Sequence, residues 1–135
     1  MHLSIKNDLS EIKVVFDSIE KYCKNIGIND TYNINLLVEE IVSNIIRHSG
    51  NKSLINIWLD KVQNFIEINL EYGGCYFNLQ KYRMKEVNVN DIGDIGVCLI
   101  KSLTSMIFYK RRKKMNKLTI YLPYGDNIEK RRQNG

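Results

Sequence analysis

The sequence predicts an α+β fold, a two-layer sandwich in which helices cover one face of a mixed, mainly antiparallel sheet. Three observations carry that expectation. Apolar residues recur every three or four positions in the first third of the chain, the period then switches to two, and the strand-like runs come in consecutive pairs joined by short polar turns. The length of 135 residues suits one domain with one core, expected over 1–124, with a charged, loose tail at 125–135. At 44% hydrophobic and 26% charged residues, the composition excludes disordered, collagen-like and coiled-coil chains.

Each element follows from its pattern. His2 to Lys6 can add an edge strand. Leu9, Ile12, Val15, Phe16, Ile19, Cys23 and Ile26 form an apolar stripe; Asp8 with Glu11 offers a capping start and Gly27 a stop, so residues 9 to 26 read as a helix. A second helix starts after Asn29 and Asp30, carries Ile34, Leu37, Val38, Ile41 and Ile45, and ends near Ser49 and Gly50. Ile55, Ile57 and Leu59, then Ile66, Ile68 and Leu70, alternate with more polar residues as two strands joined through Asp60 to Asn64. The stretch EYGGCYFN, a polar segment to about Asp91, and GDIG before a helical pattern from Val97 to about Thr104 come next. Met106 to Lys110 and Lys117 to Leu122 read as a closing hairpin, with Pro123 ending the last strand.

Several functions are set aside by composition. No apolar run approaches the roughly 18 to 20 residues of a membrane span, and MHLSIKNDLSE is charged rather than signal-like, so a cytoplasmic protein without membrane contact is expected. Cys23, Cys75 and Cys98 are odd in number and widely spaced, which suits buried thiols; with His2 and His48 the only histidines, a zinc site lacks ligands. The net charge of +5 points to an anionic partner. Arg111 to Lys114 and Lys130 to Arg132 are the densest basic clusters; no stacking or helix-turn-helix pattern accompanies them, so the first reads as a solvated turn and direct nucleic-acid binding is not expected.

The second helix is the chemically informative element. In EEIVSNIIRHSG, Glu40, Asn44 and His48 are spaced by four and form a slanted polar line along the edge of the apolar stripe, with His48 expected nearest the buried side. A carboxylate can accept a proton, an amide oxygen can face a hard cation such as Mg²⁺, and an imidazole can donate to an anion. GDIG directly before an apolar helix adds a place where backbone N–H groups and the positive helix end meet a phosphate.

In order and spacing, ExxxNxxxH on the second helix, a strand ending in a glycine turn, a loop, GxxG opening a helix and LT in the last strand resemble the GHKL (Bergerat) ATP-binding fold. Within it the chain most resembles the single-domain anti-sigma factor serine kinases, over roughly residues 3 to 122. The resemblance implies roles residue by residue. Glu40 would be the catalytic carboxylate, Asn44 the Mg²⁺ ligand, and Arg47 and His48 neighbours of the nucleotide. Gly74 would lie in the first glycine box, Gly93 and Gly96 in the second beneath the phosphates, and Thr119 at the strand position closing the adenine pocket, with Leu79 to Ile92 as the ATP lid. It further implies an ATP- and Mg²⁺-dependent kinase, usually a homodimer, that phosphorylates a serine on a STAS-type anti-anti-sigma partner and sequesters a sigma factor.

One departure bears on the nucleotide. The family's first glycine box reads DxGxPF, and no aspartate stands here. Matching Glu71 and Gly73 to its D and G keeps an acid but leaves Phe77 one position late; matching Gly74 and Phe77 puts Tyr72 at the aspartate and Tyr76 at the proline. Strand parity favours Tyr72, because it shares a face with Ile66, Ile68 and Leu70. Losing a charged acceptor, worth roughly 1.5 to 3 kcal/mol, lowers ATP affinity about ten- to hundredfold. A second function follows as the alternative: a nucleotide-independent, protein-binding regulator of the same fold.

Overall fold

The computed structural model describes residues 1–48, 54–74 and 106–124. Strand β1 (His2–Ile5) leads into a short 3₁₀ turn (Leu9–Glu11), where the Asp8 carboxylate accepts from the Ser10 N–H at 3.0 Å, and then into helix α1 (Ile12–Asn25). The 3₁₀ turn takes the place of the first turn expected of the helix, and Leu9 there is exposed rather than part of the buried stripe. Gly27, at φ +84°, stops the helix in a left-handed conformation that lets the Ile28 N–H reach the Cys23 carbonyl. Asp30 then accepts from the Tyr32 N–H at 3.1 Å, satisfying a donor at the start of α2 (Tyr32–His48).

Strands β2 (Ile55–Val62) and β3 (Phe65–Tyr72) pair without interruption down to Val62 and Phe65. The connection is therefore the two residues Gln63 and Asn64, shorter than the expected turn, because pairing continues through Asp60, Lys61 and Val62. The closing hairpin is likewise longer than its apolar core suggests: β4 (Met106–Arg112) and β5 (Met115–Pro123) meet at Lys113 and Lys114, both at positive φ. Two positive-φ residues in a two-residue connection match the right-handed twist of the strands they join.

The sheet order is β1-β2-β3-β5-β4, and every described pairing is antiparallel. Its inner face carries Ile55, Ile57, Leu59, Ile66, Ile68, Leu70, Tyr72, Leu118, Ile120 and Leu122, which share one core with Val15, Ile19 and Cys23 of α1 and Ile34, Leu37, Val38, Ile41 and Ile45 of α2. Burying each such aliphatic side chain is worth roughly 1.5 to 3 kcal/mol, so a one-residue slip of β3 would forfeit several of these at once. That cost sets the register and with it the side on which each polar residue lies. Cys23 is a buried thiol, pushed above its ordinary pKa by burial. Cys75, Cys98, the expected third helix and the tail lie outside the described residues.

Candidate functional site

The polar line on α2 is present, and its burial is uneven. Asn44 is buried to 1% exposure among the core residues of the helix, Glu40 is half-buried, and Arg47 and His48 are exposed. This corrects the expectation that His48 sits nearest the buried side: Ile45 is the last buried side chain of α2, so core packing stops before the final residue, His48. Arg47 instead supplies positive charge to the last turn, where it complements the helix dipole.

Three of these groups act on one another. Arg47 reaches back along the helix to donate from Nη2 to Asn44 Oδ1 at 2.9 Å, while Asn44 Nδ2, itself buried, has no hydrogen-bond partner among the described residues. Burial holds the Glu40 carboxyl above the usual carboxylate range; the Arg47 guanidinium pulls it partly back and neighbouring Glu39 pushes it up again. A buried amide donor left unpaired costs about 1 to 3 kcal/mol.

On the sheet side, Tyr72 is 1% exposed and in phase with Ile66, Ile68 and Leu70, while Glu71 pairs across to Asn56 and Lys117 on the other face. The pairing of β3 is continuous from Phe65 to Tyr72, so no bulge turns Glu71 inward. A closed cluster surrounds the end of the strand. Asn116, fully buried and directly opposite Tyr72, donates from Nδ2 to the Tyr72 carbonyl at 3.2 Å and accepts at Oδ1 from the Tyr109 hydroxyl and from Arg111 Nη1 at 3.1 Å. Arg111 Nη2 also donates to the Gly74 carbonyl at 3.0 Å, tying the glycine turn to the hairpin. Gly74 has φ +96°, in the left-handed region open to glycine at little cost. Burial, reinforced by nearby Tyr109 and opposed by Arg111, keeps the Tyr72 phenol protonated far above its ordinary value.

The remaining expected residues separate. Thr119 lies opposite Asn69 on the outer face, donating to its Oδ1 at 2.6 Å, so the fold does not bring Thr119 to Tyr72. The β5 residue that meets Tyr72 is Asn116, which the sequence reading missed along with Tyr109 and Arg111. A signal existed for Asn116, which is in phase with Leu118, Ile120 and Leu122 and so belongs to the buried face. Gly93, Gly96 and the segment Leu79 to Ile92 lie outside the described residues.

Residues 5–122 match the family described as histidine kinase-like ATPase domain. The chain belongs to that family. Among solved structures it is similar to the Acinetobacter baumannii histidine kinase AdeS, at 16% identity and a TM-score of 0.55, over 92% of this chain and 68% of that one. It is also similar to the histidine kinase domain from the Erythrobacter litoralis EL346 blue-light activated histidine kinase, at 20% identity and a TM-score of 0.47, over 67% and 43% of the two chains. At these identities the first likeness supports the fold of a histidine kinase-like ATPase domain, and the second adds no argument. No curated protein matches the chain.

Histidine kinase-like ATPase domains bind ATP, typically with Mg²⁺. The residues of α2 fit that pair. Asn44 Oδ1 keeps one lone pair after accepting from Arg47, enough for a hard cation that draws its other ligands from phosphate and water, and the unpaired Asn44 Nδ2 suits a phosphate oxygen. The described residues hold no cluster of three His, Cys, Asp or Glu side chains that could hold a metal ion. No helix among the described residues is long and apolar enough to cross a membrane.

Proposed function

We propose that this chain is an anti-sigma-factor-like regulatory kinase that binds ATP with Mg²⁺, phosphorylates a serine on a STAS-type anti-anti-sigma partner and sequesters a sigma factor, as a homodimer. The observation that carries the reading is Asn44: a fully buried amide with an unsatisfied Nδ2, flanked by a guanidinium and by a carboxyl of raised pKa. Bound ATP–Mg²⁺ supplies the transferable phosphoryl group. Asn44 would hold the metal through its oxygen and a phosphate through its nitrogen, Arg47 would add positive charge beside the phosphates, and Glu40 would accept the proton of the incoming serine hydroxyl. The raised pKa makes Glu40 a stronger base than an exposed glutamate.

Tyr72 supports a second reading, a nucleotide-independent regulator of the same fold. Its buried ring stands where the resemblance calls for the adenine-reading aspartate, inside a cluster whose hydrogen bonds are already made. Calorimetric titration with ATP and Mg²⁺, repeated with ADP, separates the two. Micromolar binding that Asn44→Ala removes supports the kinase, with phosphate transfer to a STAS-domain protein as the completing assay. A folded protein with no detectable binding supports the regulator without nucleotide.

A further inference from the structure

The β4–β5 hairpin has a second face. Six of the eight residues from Lys110 to Lys117 are cationic and none is acidic, which exceeds the chain's whole net charge of +5. On the side of the sheet away from the helices, strand register sets Lys110 directly opposite Lys117 and Arg112 opposite Met115, while Lys113 and Lys114 cap the end at φ 51° and 65°. Like charges directly opposite one another destabilise a sheet. Among the described residues none of Lys110, Arg112, Lys113, Lys114 or Lys117 forms an ion pair; the pair that exists joins the N-terminus to Asp60. Glu71 lies across from Lys117 in the pairing yet does not close one.

Four of these cations, Lys110, Arg112, Lys113 and Lys117, line an open cavity of about 440 Å³ together with Met115, Glu71 and Asn116. The same two strands expose Phe108 at 50%, Met106 at 46% and Met115 at 41%. Unpaired positive charge beside large, exposed apolar side chains is complementary to a segment that carries both acidic and apolar residues. Methionine adapts its shape to such partners. A stacking platform for bases is poorly provided, because Trp58 is covered by His2 in a parallel stack at 4.6 Å, and Phe65 and Phe108 both meet Tyr121 edge to face.

We propose that the outer face of the β4–β5 hairpin docks an acidic, apolar-containing segment of a partner protein, through Lys110, Arg112, Lys113 and Lys117 with Phe108 and Met115. The proposal rests on the regulatory reading only in taking the occupant to be a protein. Its residues lie on the opposite side of the sheet from Tyr72, so the two readings can fail separately.

The test is fluorescence anisotropy of the full chain with a labelled peptide of alternating Glu and Leu, about eight residues long to match a strand. An all-Glu peptide of equal charge and a single-stranded oligothymidine serve as rival probes. The expected result is that the Glu–Leu peptide binds, weakens at least tenfold as salt rises from about 50 to about 300 mM, and binds more tightly than either rival. Lys110→Glu with Lys117→Glu should reduce its affinity more than tenfold, Phe108→Ser several-fold, and neither should change ATP titration. Lys110→Gln with Lys117→Gln keeps the test readable should charge reversal disturb the hairpin. Absence of peptide binding, binding indifferent to both double variants, or tighter binding of oligothymidine would each overturn the proposal. Loss of ATP binding in the unaltered chain with peptide binding intact would count against the nucleotide reading alone.

Discussion

Asn44 and Asn116 are the same side chain, both buried to 1% or less, yet they stand in opposite conditions. Asn116 uses both ends of its amide, with two donors on its oxygen and its nitrogen on the Tyr72 carbonyl. Among the described residues Asn44 uses only its oxygen, on Arg47, and leaves Nδ2 unpaired. A buried amide that is satisfied holds structure together, whereas one that is not lowers stability until something binds. The comparison separates a buried amide whose two ends are both hydrogen-bonded from one that uses a single end among the described residues.

Four substitutions test that contrast. The largest effect is expected at Asn44→Ala, which should reduce phosphate transfer about a hundredfold or more while leaving the melting temperature unchanged or slightly raised, since an unsatisfied donor is removed. A kinase assay paired with thermal melting checks both halves, and a large loss of stability would erase the distinction. Asn116→Ala should do the reverse at the level of the fold. It strips a partner from Tyr109, Arg111 and the Tyr72 carbonyl and should cost about 2 kcal/mol in urea unfolding.

Tyr72→Asp bears on why the sheet end is closed. It exchanges a buried ring for a carboxylate near Arg111, and should tighten ATP binding about tenfold by calorimetry; unchanged or weaker binding would show that Tyr72 does not occupy the base position. The smallest effect on stability is expected at Glu40→Gln. A carboxyl whose folded pKa lies above its unfolded one holds its proton more tightly when folded, so its contribution to stability falls as pH rises from the ordinary carboxylate value through the raised one. The variant should therefore melt higher than the parent at pH 7, with the gap closing below the ordinary carboxylate range.

Much of this was legible in the chain itself. The alternation Ile66, Ile68, Leu70, Tyr72 set the parity that turns Tyr72 inward and Glu71 outward, and the three-and-four spacing in α2 aligned Glu40 with Asn44. The same parity rule, applied to β5, separates Thr119 from Leu118 and Ile120; the resemblance to LT in a family strand outweighed it. The hairpin lengths were underestimated because Asp60 to Val62, Arg111 and Arg112 are polar or exposed and give no periodic signal, although their backbones pair as well as the apolar ones do.

Periodicity, caps and turn residues act over a few positions, so helix faces, strand phases and the composition of each face were decided locally. Encounters between distant residues were not. Asn116 meeting Tyr72 across a separation of 44 residues, Arg111 tying Gly74, and Lys110 set against Lys117 all depend on strand order and register. Those follow from burying one sheet face against two helices, a free energy summed over the whole core. No single segment carries it.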